Sequence, residues 1–183
     1  MKYRAPDWAF VVEQLTAWNA TAELLRKDSD HYFNAPDRDF AQTDEAVRIR
    51  QIGTSNFLTY KGPKIDRETK TRLEVELPIA EGAEAAATAV RFLSGLGFRS
   101  VSAVMKTRQV YRLNRGGFDV SICLDDVGAV GRFVELEIMA EAEQLEPAKA
   151  VLAQMAQELN LTDPERRSYL QMLLELSGKR NPT

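Results

Sequence analysis

Apolar and charged residues alternate along several segments of the chain, which is the pattern of β-strands with one buried face. In residues 46–52, Val47 and Ile49 alternate with two arginines, and residues 132–139 show a similar alternation with two glutamates. The sequence Asn114-Arg115-Gly116-Gly117 lies between two of these segments and is typical of a hairpin turn. The predicted strands are 46–52, 56–61, 70–78, 98–112, 117–123 and 132–139.

Other segments have the apolar spacing of amphipathic helices. Pro6 and Asp7 are typical of a helix start and precede the first of them. The predicted helices are 8–18, 81–95, 146–159 and 164–176. Because strands and helices share the chain without a repeat or linker, we predict an α+β fold in one domain, 1–183, with 145–183 as a C-terminal helical extension.

The polar positions of the strands hold long, ionised side chains, often in pairs two residues apart. On any single strand, the charged side chains could simply lie on a face exposed to solvent, since one side of an antiparallel sheet commonly meets water. The recurrence on four strands favours a different interpretation, in which these faces line a closed or nearly closed antiparallel β-barrel with a polar tunnel. The residues concerned are Arg48, Arg50, Arg72, Glu74, Glu76, Lys106, Arg108, Glu135 and Glu137.

The overall charge does not favour a polyanionic partner. With 24 basic and 27 acidic residues the formal net charge is -3, so we expect no nucleic-acid or membrane partner, and any anion site depends on local placement of cations. One cysteine excludes an internal disulfide, and one histidine argues against histidine-based metal sites. Because no signal-peptide core or long apolar run is present, we expect a cytoplasmic protein.

A tunnel that contains both signs of charge suits a triphosphate together with a metal ion. A triphosphate carries about four negative charges, which convergent Arg and Lys donors can hold. Carboxylates beside the same phosphates are repelled by them unless a hard divalent cation lies between. Basic residues together with a Glu-x-Glu pair therefore predict a triphosphate ligand and Mg²⁺ or Mn²⁺.

The order of these motifs resembles the CYTH superfamily, which includes class IV adenylate cyclases, thiamine triphosphatases and inorganic triphosphatases. The likeness covers residues from 1 to about 140 and is specific only in the combination of its elements. The motifs are Lys2, Arg48-Ile-Arg50, Leu58-Thr-Tyr-Lys61-Gly-Pro63, Arg72-x-Glu74-x-Glu76, Lys106-x-Arg108-x-x-Tyr111, Leu124-Asp125-Asp126-Val127 and Gly131-x-Phe133-x-Glu135-x-Glu137.

The resemblance implies a tunnel of about eight antiparallel strands with the ligand inside. It implies catalytic roles for Asp125, Lys61 and Arg108. It places a metal at Glu135 and Glu137, with Glu74 and Glu76 in support. The residues expected to contact phosphate are Lys2, Arg48, Arg50, Lys61, Arg72, Lys106 and Arg108.

This chain departs from the family's pattern at its first strand. In the family that strand carries Glu-x-Glu-x-Lys, and here only the lysine, Lys2, is present. We expect either that the two acids are encoded upstream or that the 183-residue form holds its metal weakly and turns over slowly.

Three functions are compatible with these residues. A class IV adenylate cyclase-like enzyme makes cyclic AMP and pyrophosphate from ATP. The resemblance favours it, because the Ser168-Tyr169 tail and the loop 34–44, with the aromatic pair Tyr32-Phe33 before it, are similar to those of class IV cyclase-like members. A triphosphatase acting on inorganic or thiamine triphosphate would use the same basic residues, and a non-catalytic polyphosphate or nucleotide-binding protein would need only those. The apolar face of the tail helix is compatible with a homodimer.

Overall fold

A computed structural model describes residues 1–65 and 69–178 and confirms the α+β class. Its strands are β1 (Lys2–Arg4), β2 (Thr21–Ala22), β3 (Arg26–Asn34), β4 (Ala46–Ile52), β5 (Ser55–Lys61), β6 (Glu74–Ile79), β7 (Arg99–Arg115), β8 (Phe118–Asp126) and β9 (Arg132–Ile138). Its helices are α1 (Ala9–Ala17), α2 (Phe40–Thr43), α3 (Ala83–Gly95), α4 (Leu145–Glu158) and α5 (Tyr169–Leu176). No helix within the described ranges is long and apolar enough to cross a membrane.

The described chain divides into two compact units. Unit 1 comprises residues 1–26 and 107–166, and unit 2 comprises the described residues within 27–106 and 167–183. The strand β7 contributes residues to both units, so Lys106 belongs to unit 2 and Arg108 to unit 1. The assignment of 1–183 to a single domain stays a prediction.

Unit 1 is an antiparallel sheet in the order β1-β9-β8-β7, with the short β2 paired to β7. The apolar face of this sheet packs against α1 and α4, as the alternation of residues predicts. Each fully buried aliphatic side chain contributes about 1.5–3 kcal/mol to folding, so this core accounts for much of the stability of the unit. Its members include Val11, Leu15, Val120, Ile122, Val134, Leu136, Leu152, Met155 and Leu159.

The predicted hairpin joins β7 to β8. Gly116 and Gly117 form its two-residue turn, and both have positive φ, at 59° and 82°. Glycine occupies this backbone region without steric cost, which is why such turns select it. The turn sets the register in which Arg108 lies opposite Asp125.

Unit 2 contains the antiparallel order β3-β4-β5-β6. Its core lies between β3, β4 and α3, where Phe33, Val47, Ile49 and Leu93 are buried together with Phe40. The opposite face of β4 carries Arg48 and Arg50, so the predicted two-faced character of this strand is confirmed.

Several details differ from the sequence expectations. Strand pairing among the described residues does not close the nine-stranded sheet, so the barrel is not confirmed. The predicted burial of the apolar face of β6 is wrong, since Val75 and Leu77 are 51% and 56% exposed and the helix α3 packs on β4 instead. The last helix begins at Tyr169 rather than at 164, because Pro164 bridges to Tyr3 and the Ser168 hydroxyl caps the helix.

Candidate functional site

The two arginines of β4 in unit 2 share one buried carboxylate. Asp30 on β3 lies opposite Arg50 in the strand register. Its Oδ1 accepts from Arg50 Nε at 2.7 Å and its Oδ2 accepts from Arg50 Nη2 at 2.8 Å. The same Oδ2 accepts from Arg48 Nη1 at 3.0 Å, and the Tyr32 hydroxyl lies 3.3 Å from that nitrogen. We call Asp30, Tyr32, Arg48 and Arg50 the Asp30 cluster.

This carboxylate is ionised despite its burial. Asp30 is 1% exposed, and burial by itself opposes ionisation. The nearby guanidiniums of Arg48 and Arg50 outweigh that effect and hold the pKa of Asp30 well below its usual value. The cluster therefore carries two fixed guanidiniums and one fixed carboxylate at any neutral pH.

A second ion pair of unit 2 lies nearer to solvent, at the ends of β5 and β6. Lys61 Nζ donates to Glu74 Oε2 at 2.6 Å, and the two side chains are 25% and 32% exposed. The other oxygen of Glu74, Oε1, lies 3.8 Å from Arg48 Nη2. Burial opposes the ionisation of Glu74, but Lys61 and Arg48 lower its pKa overall.

The other predicted residues of unit 2 have different partners. Glu76 accepts a hydrogen bond from the Thr59 hydroxyl at 3.2 Å. Arg72 lies before β6 and donates to the carbonyl of Gly62 at 3.3 Å.

Lys106 is buried on the unit 2 part of β7. Its Nζ lies 3.8 Å from Asp28 Oδ2 and 5.5 Å from the ring centroid of Tyr169. The aromatic face and the carboxylate both stabilise the ammonium where water cannot reach it. The tail residue Tyr169 therefore lies beside Lys106, a residue predicted to bind phosphate.

In unit 1, Arg108 joins two carboxylates. Its Nε donates to Asp125 Oδ1 at 2.6 Å, and its Nη2 contacts Asp125 Oδ2 and Glu135 Oε2, each at 2.5 Å. Asp125 is fully buried and Arg108 is 4% exposed, whereas Glu135 is half-buried. Burial opposes the charge on Arg108, yet the two carboxylates raise its pKa well above the usual value. We call Arg108, Asp125 and Glu135 the Arg108 cluster.

The strand β9 carries the predicted Glu-x-Glu pair. Lys2 on β1 lies opposite Glu135 and is 1% exposed, with its Nζ 5.2 Å from the ring centroid of Phe133. Glu137 is exposed and lies 4.0 Å from Cys123 Sγ. Burial raises the pKa of the Cys123 thiol, with Glu137 adding to the effect, so this buried cysteine is a neutral packing residue.

Comparison of the chain with known proteins supports the family that these motifs indicate. A family model described as the CYTH domain matches residues 1–169. The chain belongs to the CYTH domain family. A Methanocaldococcus jannaschii protein named as a candidate adenylate cyclase is 34% identical over 175 residues, which cover 94% of this chain and 95% of that protein. Adenylate cyclase CyaB of Aeromonas hydrophila is 32% identical over 174 residues, which cover 92% of this chain and 84% of that protein.

A solved structure agrees with the family and the fold. The PH1819 protein of Pyrococcus horikoshii superposes on this CYTH domain with a TM-score of 0.83 and is 38% identical. The likeness covers 96% of this chain and 97% of that chain. Since both chains are covered almost completely, the fold is shared from end to end.

The carboxylates predicted to hold a metal do not form a preformed cage among the described residues. Across residues 1–65 and 69–178, no group of three or more His, Cys, Asp or Glu side chains is arranged to hold a metal ion. Glu135 and Glu137 have the hard oxygen ligands that Mg²⁺ and Mn²⁺ prefer. The two carboxylates therefore fit such an ion only if phosphate and water oxygens complete its shell.

Sequence reasoning missed the carboxylates that hold the cations. Asp28 and Asp30 lie on β3 and are 2% and 1% exposed, but the segment before His31 showed no clear alternation. The available signal was the Asp-x-Asp spacing, which places both side chains on one face of a strand. That Asp30 lies opposite Arg50 can be recognised only from the pairing of β3 with β4.

Proposed function

We propose that this CYTH domain is a class IV adenylate cyclase-like enzyme that binds ATP with Mg²⁺ or Mn²⁺ and forms cyclic AMP and pyrophosphate. The observation that carries the proposal is the Asp30 cluster, in which one buried carboxylate holds Arg48 and Arg50 side by side. The names of the two relatives that are more than 30% identical support the choice of reaction.

Binding of the triphosphate follows from the chemistry of the cations. Guanidiniums bind phosphate oxygens through paired hydrogen bonds, and ammonium groups act as point charges. Arg48, Arg50 and Lys61 supply these donors, together with the buried Lys106. Lys2, Arg72 and Arg108 remain predicted phosphate contacts.

In the proposed reaction, the ribose 3′-oxygen bonds to the α-phosphorus and the bond from that phosphorus to the bridging oxygen breaks. Pyrophosphate leaves with that electron pair, and the hydroxyl proton passes to water. Arg108 and Lys61 would stabilise the charge that develops on the leaving group. Asp125 would act through Arg108, because it is fully buried and holds that guanidinium with two hydrogen bonds.

The metal has a defined place in this proposal. An ion held by Glu135 and Glu137 with phosphate and water oxygens would screen the phosphate charge and lower the pKa of the attacking hydroxyl. Glu135 would have to exchange its contact with Arg108 for one with the ion, which leaves that guanidinium available to phosphate.

A triphosphatase is the second candidate. It is favoured because every residue assigned above would bind phosphate or metal or position a residue that does, and none of them is assigned to bind a nucleobase. In that reaction water attacks the terminal phosphorus, and the same cations stabilise the leaving group.

Product analysis tests the proposal. The protein is incubated with ATP or tripolyphosphate and Mn²⁺ or Mg²⁺, and products are identified by ³¹P NMR and chromatography. Cyclic AMP with pyrophosphate supports a cyclase, and release of inorganic phosphate supports a triphosphatase instead. Failure to form any product with either compound would contradict both enzymatic proposals.

Matched arginine variants test the assigned site. Arg50→Ala should weaken triphosphate binding by about 1.5–3 kcal/mol, the usual loss for a hydrogen bond to a charged group. Arg38→Ala is the control, because Arg38 is an exposed arginine of unit 2 that pairs with Asp37 and Glu45. Equal effects of the two changes in calorimetry would contradict the site.

A further inference from the structure

Arg48 contacts two carboxylates that differ in burial and geometry. We propose that these two carboxylates have opposite effects on triphosphate binding: Asp30 positions the guanidinium for phosphate, whereas Glu74 is a counter-ion that phosphate displaces. The inference rests on the proposed binding of triphosphate but does not depend on turnover.

Asp30 has the geometry of a positioning residue. It is 1% exposed, and its two oxygens accept from three nitrogens of Arg48 and Arg50 at 2.7–3.0 Å. Fixed hydrogen bonds of this kind restrict both guanidiniums to one orientation before the ligand arrives, which lowers the entropy cost of binding. A phosphate cannot take the place of Asp30 without breaking all of these bonds inside the protein.

Glu74 has the geometry of an exchangeable partner. Its side chain is 32% exposed, so its carboxylate can turn into water at small cost. Among the described residues it makes one hydrogen bond, to Lys61, and it approaches Arg48 Nη2 only to 3.8 Å. Phosphate oxygens offer both cations the same type of acceptor with more charge, so they would replace this carboxylate rather than add to it.

Arg48 retains donors for a ligand. Its hydrogen bonds to Asp30 and Tyr32 use Nη1 alone. Its buried Nε has no hydrogen-bond partner among the described residues, and Nη2 has only the longer contact with Glu74. The side near Glu74 is therefore where a phosphate oxygen gains most.

Charge alone predicts a different result. Removing either carboxylate raises the net charge near the cations by one unit, so a purely electrostatic effect would tighten anion binding in both variants. Opposite effects arise only if one carboxylate positions the cations and the other competes for them. The sign of the two changes is thus the decisive measurement.

The experiment is calorimetric titration with tripolyphosphate in excess chelator, so that no metal contributes. Glu74→Gln should lower Kd several-fold, because the competing acceptor is lost. Asp30→Asn should raise Kd about tenfold, the equivalent of one charge-assisted hydrogen bond. Glu84→Gln is the charge-matched control on α3 and should leave Kd unchanged.

A second readout separates Glu74 from the metal ligands. The resemblance implies a metal-supporting role for Glu74, whereas the counter-ion role predicts that titration of Mn²⁺ followed by electron paramagnetic resonance shows unchanged metal affinity in Glu74→Gln. If Asp30→Asn does not fold, Tyr32→Phe replaces it, since that change removes the hydroxyl beside Arg48 without altering charge and should raise Kd about threefold.

The outcomes distinguish this inference from the proposed function. Tight binding without product contradicts the cyclase and leaves the inference standing. A wild-type protein that does not bind tripolyphosphate overturns both. Changes of the same sign at Asp30 and Glu74, or loss of Mn²⁺ affinity in Glu74→Gln, overturn the inference alone.

Discussion

Asp125 offers a direct test of how the Arg108 cluster is stabilised. The carboxylate is 0% exposed and receives two hydrogen bonds from Arg108, at 2.6 and 2.5 Å. Asp125→Asn keeps the shape and removes the charge. Breaking one partner of a buried ion pair costs about 3–5 kcal/mol. Because Glu135 still contacts Arg108 Nη2 at 2.5 Å, we expect the lower end, a loss of about 3 kcal/mol in the free energy of unfolding.

A double variant serves as the control. Replacing both partners by apolar residues, as in Arg108→Met with Asp125→Leu, removes the charges together with the cost of burying them. Such replacements are often neutral, so the double variant should be at least about 1 kcal/mol more stable than Asp125→Asn. The comparison separates an unpaired buried charge from a general loss of packing.

Urea unfolding followed by tryptophan fluorescence measures this effect. Both tryptophans, Trp8 and Trp18, lie in unit 1 with the Arg108 cluster, so the signal reports on the unit that is perturbed. A loss below about 1 kcal/mol in Asp125→Asn, or a double variant less stable than that single one, would refute the reasoning.

Three further predictions concern acid, metal and the first strand. Because folding lowers the pKa of Asp30, its ionised carboxylate contributes stability that is complete above the unfolded pKa and is lost as pH falls through the folded pKa. From about pH 5 to pH 2, the urea midpoint of the wild type should therefore fall more than that of Asp30→Asn. Parallel plots of midpoint against pH for the two proteins would contradict this prediction. Glu137→Gln should weaken Mn²⁺ binding with tripolyphosphate about tenfold, measured by electron paramagnetic resonance, while the exposed control Glu141→Gln should not. Since Lys2 opposes Glu135 in the strand register, a residue added directly before Met1 would oppose Glu137. A Glu-x-Glu sequence added there should therefore raise Mn²⁺ affinity. An equal gain from an added Gln-x-Gln sequence would disprove a metal-ligand role for the two added glutamates.

The apolar face of β6 shows why local pattern can mislead. The alternation of Val75 and Leu77 with glutamates predicts one buried face, and the strand forms as expected. Val75 and Leu77 remain more than half exposed because the covering helix packs elsewhere in unit 2. Alternation reports which residues share a face, but only the placement of the next element decides whether that face is covered.

The sequence by itself determined the strands from β4 to β9, which residues share each of their faces, and the family, because alternation, turn glycines and motif spacing are local properties of the chain. It also identified Arg48 and Arg50 as polar-face residues without a partner to assign to them. Only the tertiary structure brought them to Asp30, which lies 18 and 20 residues earlier on a strand of weak pattern. The physical reason is that an ion pair depends on strand register and on exclusion of water, and both are set by pairing between distant segments.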